Sequence, residues 1–413
     1  MSSFNLVQEF LEQSAVKFPD KIALVCGDER LTYSEIENRA NRLANGLRKK
    51  GIQRGDRVAL FLPNSVELVV SIFAVLKCDA IFVVVNSTTK LDKLIYVLNN
   101  CEVSALILSS SQIPLSEKIS NFCPSIRFFV LTGGSGFSGD YQKFLAWEEL
   151  LDSSSAERIP SRNIDLDLAC LIYTSGSTGE PKGVMSDHSN IIFAVNSITS
   201  YIGNTADDVV INVLPLSFDY GLYQLFMVFS FGGRLILEKG FSYPAQVLSQ
   251  IEKEKVTGFP GVPTIYSILV NMDLSPFDLS SLRYMTNTAA ALPPAHIQKI
   301  RDTFPGVTLF SMYGLTETKR TLYLPPSQLD VRPDSVGIAI PGTEVWIEDE
   351  HGNRLGAGEV GELVVRGRHV MRGYWGDEEL TAQRFRPAKF SGERLCYTGD
   401  LFRMDEEGYF YFV

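Results

Sequence analysis

Residues 173–183, YTSGSTGEPKG, gather an unusual density of groups that could hold an anion. Thr174, Ser175, Ser177 and Thr178 bring hydroxyl donors, and Lys182 brings a positive charge. Gly176, Gly179 and Gly183 free the backbone to turn its N–H groups toward one point, an anion-binding nest. Pro181 stiffens the exit. A polyphosphate fits this inventory. The pattern is not a Walker A loop, which needs Ser or Thr directly after its lysine, where this chain has Gly183. A solvated Gly/Ser linker is the plain alternative, but linkers have no need of a Pro-Lys-Gly after a hydroxyl cluster. Any anion must be held by such local donors, because the formal net charge is −10 and offers no general attraction. The same charge argues against a nucleic-acid partner.

Further stretches along the chain carry chemistry-bearing residues: NTAAAL (287–292), MYGLTET with Thr316 and Glu317, and YTGDL with Asp400. With the 173–183 loop, MYGLTET resembles the signatures of the adenylate-forming superfamily, which includes acyl-CoA synthetases, luciferases and the adenylation domains of nonribosomal peptide synthesis. GELVVRG and MRGYW resemble its barrel region, and YTGDL its ribose-binding motif. The similarity runs along nearly the whole chain, with the motifs in the family's order.

The resemblance implies a role for each motif. Thr174, Ser175, Gly176, Ser177, Thr178, Gly179 and Lys182 would hold the ATP phosphates. Tyr313 would offer an aromatic face to adenine, flanked by Met312, Gly314 and Leu315, with Asn287, Thr288, Ala289 and Ala290 laid along the base. Thr316 would reach a phosphate, Glu317 would ligate Mg²⁺ as a hard oxygen donor, and Asp400 would accept from the ribose hydroxyls. Thr174, Lys182, Thr316 and Glu317 form the expected catalytic set. On residue type alone, a solvated carboxylate at Glu317 and a turn residue at Asp400 are the plain alternatives.

The segment PLSFDYGLYQ departs from the acyl- and aryl-CoA ligases, which commonly carry a histidine where this chain has Asp219 after Phe218. Amino-acid-activating domains are similar to it here, and in them the aspartate pairs with the substrate ammonium. A carboxylate in a mostly apolar pocket is costly unless a cation meets it. Such a site would reject analogues lacking the amine by ~10⁴-fold. A solvated or helix-capping Asp219 is the alternative. Tyr223, Pro260, Met285, Asn287 and Met312 match pocket positions by motif offset, which is good to about one residue. LPLSFDYGLYQ, GFPGVP and YGLTETKRTLYLPP resemble stand-alone proline-activating enzymes that load a carrier protein.

The elements that must position these residues are legible from periodicity. ACLIY, VVINVLPLS, GRLILE, VTGFPGVP, LRYMTNTA and VTLFSMYG read as strands ending in polar or glycine-bearing loops, with amphipathic segments such as PPAHIQKIRDTF between them. That alternation predicts an α/β fold with largely parallel, helix-covered sheets and ligands beyond the strands' carboxyl ends. KIALVCGDERLTY reads as a hairpin, and Thr32 with Glu35 as a capping box opening a helix through Ile36, Ala40, Leu43 and Leu47 that stops at Gly51. Beyond about residue 330, short strands and glycine-rich turns suggest a small antiparallel β-barrel. The expected division is 1–165 and 166–328 as two α/β subdomains, the second with the phosphate loop and acid pocket, and 329–413 as the barrel.

The chain reads as cytoplasmic. Its six cysteines form no C-x-x-C pair, its four histidines are scattered, and no signal peptide is evident. The most apolar stretch, ELVVSIFAVLKCDAIFVVVN, is broken by Lys77 and Asp79 and suits a buried segment better than a membrane span. The resemblance implies MgATP-dependent conversion of an acid to acyl-AMP and pyrophosphate, then transfer to a carrier phosphopantetheine thiol or coenzyme A. It also implies a mobile C-terminal domain past the last apolar run, carrying a further catalytic lysine. An acyl- or aryl-CoA ligase and a catalytically silent nucleotide-binding module are the competing expectations.

Overall fold

The computed structural model describes residues 4–134, 143–175, 179–288, 290, 292–390 and 392–413. The chain divides into two units, one of residues 1–192, 215–218 and 374–378, the other of 193–214, 219–373 and 379–413. Each is an α/β unit, as the strand–helix alternation predicts.

In the first unit the sheet order is Phe144–Ala146, Phe128–Thr132, Ala105–Ser109, Arg57–Phe61, Ile81–Val84, Leu168–Ser175 and Pro181–Asp187. All neighbours are parallel except the last two strands, which form an antiparallel hairpin. Ala59, Phe61, Val83, Leu106, Leu108, Phe129 and Leu171 belong to one buried cluster. Strands buried on both faces need near-continuous apolar runs, and these have them.

Local rules account for the approach to that sheet. Ile22–Cys26 and Glu29–Thr32 pair antiparallel around Gly27, whose φ of +60° suits glycine. The Thr32 hydroxyl accepts from the Glu35 amide at 3.2 Å, while the Glu35 carboxylate accepts from the Thr32 amide at 2.7 Å. That box opens the helix Tyr33–Lys49, which buries Ile36, Ala40, Leu43 and Leu47. The apolar stretch is a helix, Val66–Lys77, followed by the strand Ile81–Val84. Its interrupting charges are buried and paired. Lys77 meets Glu12 at 2.8 Å and Glu37 at 2.7 Å, and Asp79 meets Arg48 at 2.8 Å. Among the described residues, no helix is long and apolar enough to cross a membrane.

The second unit contains the strand run Ile338–Ala339, Leu322–Leu324, Thr308–Tyr313, Tyr284–Asn287, Gly258–Gly261, Val209–Asn212 and Arg234–Leu237. The five strands from Thr308–Tyr313 to Arg234–Leu237 are parallel. After Val209–Asn212 the chain places its next strand on one side and the following one on the other. In open α/β sheets, ligands bind beyond the carboxyl ends of the strands at such a switch point. The helix Asp219–Phe231 begins there, and Tyr220 through Phe229 are all buried.

The region read as a small barrel is a five-stranded antiparallel sheet, ordered Glu344–Glu348, Val360–Arg366, Arg394–Met404 and Phe385–Pro387. Phe410–Phe412 pairs with the Arg394–Met404 strand beyond Phe385–Pro387. That long strand carries Asp400.

Candidate functional site

In the first unit the phosphate-loop residues sit on the hairpin. Leu168–Ser175 and Pro181–Asp187 are in register with Tyr173 opposite Gly183, Thr174 opposite Lys182 and Ser175 opposite Pro181. The expectation had the strand simply ending at the loop; instead the chain doubles back and sets Lys182 across from Thr174. Gly176, Ser177 and Thr178 lie outside the described residues. Gly179 has φ +96° and is exposed, as a turning glycine should be.

Gly183 corrects the sequence reading. It lies in the second strand, not in the nest, and it is absent from the positive-φ glycines. A side chain there would come within 2.9 Å of the Tyr173 ring. The glycine makes room for that ring, whose hydroxyl donates to Asn100 Oδ1 at 2.5 Å. The Gly183 carbonyl accepts from the Trp375 amide at 2.8 Å, and the Trp375 indole donates to the Asn100 carbonyl at 3.2 Å. The Lys182 ammonium lies 5.8 Å from the centroid of the Tyr374 ring. Tyr374, Trp375 and Asn100 therefore brace the hairpin, a role no local pattern announced. Phe218, in this unit, is 51% exposed.

In the second unit the MYGLTET signature leaves the strand Thr308–Tyr313 and folds back tightly. The Thr321 amide donates to the Tyr313 carbonyl at 2.8 Å, and the Thr318 amide to the Leu315 carbonyl at 3.1 Å. Gly314 is required by this turn, since a Cβ would lie 2.0 Å from the Lys319 carbonyl oxygen. Thr316 and Glu317 are half-buried at the turn. The Glu317 carbonyl accepts from the Met371 amide at 2.9 Å. Tyr313 and Asp400, read from separate motifs, are brought together: the tyrosine hydroxyl donates to Asp400 Oδ2 at 2.5 Å. Burial first, and the neighbouring carboxylate second, push the Tyr313 hydroxyl far above the usual phenol range.

The NTAAAL segment begins in the strand Tyr284–Asn287. The Asn287 side-chain amide donates to the Ala290 carbonyl at 2.9 Å, and Ala289 lies outside the described residues. Asn287 Oδ1 and Thr288 Oγ1 are buried with no hydrogen-bond partner among the described residues. An orphaned buried polar group costs ~1–3 kcal/mol, which a ligand donor or acceptor would remove. These two atoms fit an adenine edge. Among the described residues no group of three or more acidic, His or Cys side chains could hold a metal ion. A lone Glu317 still fits Mg²⁺, which is held by one or two carboxylates together with the nucleotide phosphates.

Asp219 is the first residue of the helix Asp219–Phe231, and Tyr223 follows one turn later on the same face. The cation that the sequence reading reserved for the substrate is already supplied by the chain. Arg320 Nη1 lies 3.5 Å from Asp219 Oδ2, with the two side chains 3% and 18% exposed. The Arg320 guanidinium lies 4.5 Å from the centroid of the Tyr220 ring, and Lys319 sits 5.5 Å from that of Tyr223. Tyr220 donates to the Thr286 carbonyl at 2.6 Å, and its hydroxyl is pushed up to about 12, chiefly by burial.

The remaining pocket candidates do not share one face of their sheet. Pro260 pairs with Thr286, and Met285 with Phe259 and Leu309. Side chains alternate along a strand, so Met285 and Asn287 point away from the face of Pro260, Thr286 and Met312. Thr286, whose hydroxyl is 2.7 Å from that of Tyr220, faces the helix that begins with Asp219. Met312 Sδ accepts from the Tyr201 hydroxyl at 2.8 Å. Tyr220, Thr286 and Arg320 are the neighbours that sequence reasoning missed.

A family model described as AMP-binding enzyme matches residues 11–375. The chain is 32% identical over 432 residues to a long-chain-fatty-acid–CoA ligase of Bacillus subtilis (strain 168), covering 98% of this chain and 76% of that protein. It is 31% identical over 414 residues to bacitracin synthase 1 of Bacillus licheniformis, covering 98% of this chain and only 7% of that much longer protein. The complex structure of VinN with L-aspartate superimposes with a TM-score of 0.84 at 31% identity, covering 99% of this chain and 98% of that one. The chain belongs to the AMP-binding enzyme family and is an AMP-forming ligase that activates a carboxylic acid.

Proposed function

We propose that the acid is an amino acid, with L-proline the preferred substrate, and that the aminoacyl group passes from the adenylate to the phosphopantetheine thiol of a carrier protein. One observation carries this reading. Asp219, where CoA ligases commonly have histidine, makes no hydrogen bond among the described residues, and its ion pair with Arg320 is 3.5 Å long. Its carboxylate is free to accept from an ammonium group. The L-aspartate bound to VinN is an amino acid, which supports the reading.

Thr174, Ser175, Gly176, Ser177, Thr178, Gly179 and Lys182 take the phosphates, Thr316 adds a hydroxyl, and Glu317 takes Mg²⁺. Met312, Tyr313, Gly314 and Leu315, with Asn287, Thr288, Ala289 and Ala290, take the base, and Asp400 the ribose. Phe218, Tyr223, Pro260, Met285, Asn287 and Met312 remain the proposed surroundings of the acid, now with Thr286. The division at residues 165 and 328 is part of the same proposal. Mg²⁺ supplies charge neutralisation at the phosphates. A carboxylate oxygen attacks the α-phosphorus and pyrophosphate leaves, so catalysis here is positional and electrostatic.

The identity to a fatty-acid–CoA ligase favours a second reading, with coenzyme A as acceptor. An ATP–pyrophosphate exchange panel of amino, aryl and fatty acids separates the two. The first predicts a maximum on proline that Asp219→Ala abolishes. A maximum on a fatty or aryl acid that survives Asp219→Ala establishes the second.

A further inference from the structure

The segment that begins at Tyr374 sorts its contacts by face. Tyr374 pairs antiparallel with Val184 of the hairpin, and the Trp375 amide donates to the Gly183 carbonyl at 2.8 Å. Neighbouring residues of an extended chain point to opposite sides. One side carries Tyr173, Gly183 and Trp375. The Tyr173 hydroxyl and the Trp375 indole both end on Asn100, the last residue of the helix Leu91–Asn100, one on its side-chain oxygen and the other on its carbonyl. A helix leaves its final carbonyls without intrahelical donors, and the indole satisfies this one. Arg57 closes the stack, its guanidinium 5.3 Å from the centroid of the Trp375 ring and its Nε donating to the Cys101 carbonyl at 2.6 Å. The other side carries Val184, Tyr374, Lys182 and, opposite the lysine, Thr174. Because Tyr374 faces Val184 directly, Lys182 is its diagonal neighbour, a spacing that aromatic and long side chains bridge. The ring is 6% exposed, and its centroid lies 5.8 Å from the ammonium. Lys182 has no ion pair among the described residues.

Resting on the reading of Lys182 as a phosphate ligand, we propose that Tyr374 is the positioning residue for that lysine, its ring holding the ammonium on the Thr174 side of the hairpin while Trp375 and Asn100 hold the ring. A lysine ammonium rides on a flexible four-carbon stem, and arresting that stem at the moment a phosphate arrives costs rotamer entropy. Ordering it beforehand lowers that cost. A carboxylate partner would order it as well, but the triphosphate would then have to displace an opposite charge. The negative face of an aromatic ring attracts the ammonium without neutralising it. The charge stays available to the nucleotide. Tyr374 acts through Lys182 and not on the nucleotide. The MRGYW motif, read from the sequence as part of the barrel region, thus gives its Tyr374 and Trp375 to the first unit, beside the phosphate-loop hairpin.

Calorimetric titration with MgATP tests the contact at constant shape. Tyr374→Phe keeps the ring face and is the reference. Replacing Tyr374 with trifluorophenylalanine keeps nearly the same shape and packing, while the fluorines strip the negative charge from the ring face. The fluorinated ring is expected to weaken MgATP by ~2–5-fold relative to Tyr374→Phe, the size of an exposed cation–π contact. A residue that merely fills space would give no difference between the two rings. With Lys182→Met in the same chain the two rings are expected to bind MgATP equally, because the effect passes through the lysine and the pair is non-additive. Equal affinity of the two rings with Lys182 present overturns the positioning role, and so does an undiminished difference in the Lys182→Met background. In both cases a weaker affinity of Lys182→Met itself still supports the phosphate reading. If Lys182→Met binds MgATP as tightly as the wild type, that reading fails, and the positioning role with it.

Discussion

At the scale of single residues, polar atoms left without partners mark where a ligand belongs. Thr288 Oγ1 is buried and unbonded among the described residues, so Thr288→Ala should raise the stability of the free protein by about 1 kcal/mol. If the hydroxyl meets the nucleotide, the same substitution weakens ATP. Urea denaturation and ATP titration of one variant check both signs, and unchanged ATP affinity removes Thr288 from the site. Gly314 gives the opposite case. Its position leaves no space for a methyl group beside the Lys319 carbonyl, so Gly314→Ala should destabilise by ~1–3 kcal/mol and displace Glu317 with it. Residue identities of this kind were legible in the sequence wherever a motif fixed them. Arg320 was not, because its meeting with Asp219 depends on two segments far apart in the chain. The charge argument did foresee that Asp219 needs a cation, but not that the protein brings one.

At the scale of elements, local rules are legible in the sequence and tertiary pairing is not. The capping box at Thr32 is written in four consecutive residues, and the helix starts there as expected. Thr32→Ala should cost about 1 kcal/mol of stability, read as a lower denaturation midpoint with exchange activity unchanged. The phosphate-loop hairpin shows the other side. Its strand and glycines were evident, yet Gly183 proved to be a packing glycine against Tyr173. Gly183→Ala should therefore shift the hairpin that carries Lys182, raising the KM for ATP and leaving that for the acid alone. A matched rise in both would assign Gly183 to general stability. The facing of Thr286 toward the helix has the same origin: which strand face meets the helix is fixed by its pairing with Pro260 and Phe310, and motif offsets contain no pairing information.

At the scale of the whole molecule, acid stability follows from two buried imidazoles. Burial holds His188 down to about 4 against a partial opposing pull from Asp167, and holds His369 down to about 3. Both are neutral when folded and free to protonate when unfolded. The unfolded state thus binds more protons below its ordinary histidine range, and stability falls as pH drops from about 6.5 toward these folded values. Urea midpoints between pH 7 and pH 4 should decline, and His369→Gln should flatten the decline where it folds. An identical slope in that variant would leave the acid sensitivity to His188 and the carboxylates. The order of strands around Val209–Asn212 has a wider consequence. Because that switch point is produced by the path of the backbone and not by any side chain, the scaffold and its selectivity are separable properties. Libraries randomised at Tyr223, Thr286 and Met312 should yield enzymes with new acid preferences and little change in melting temperature, a route to retargeting that leaves the architecture untouched.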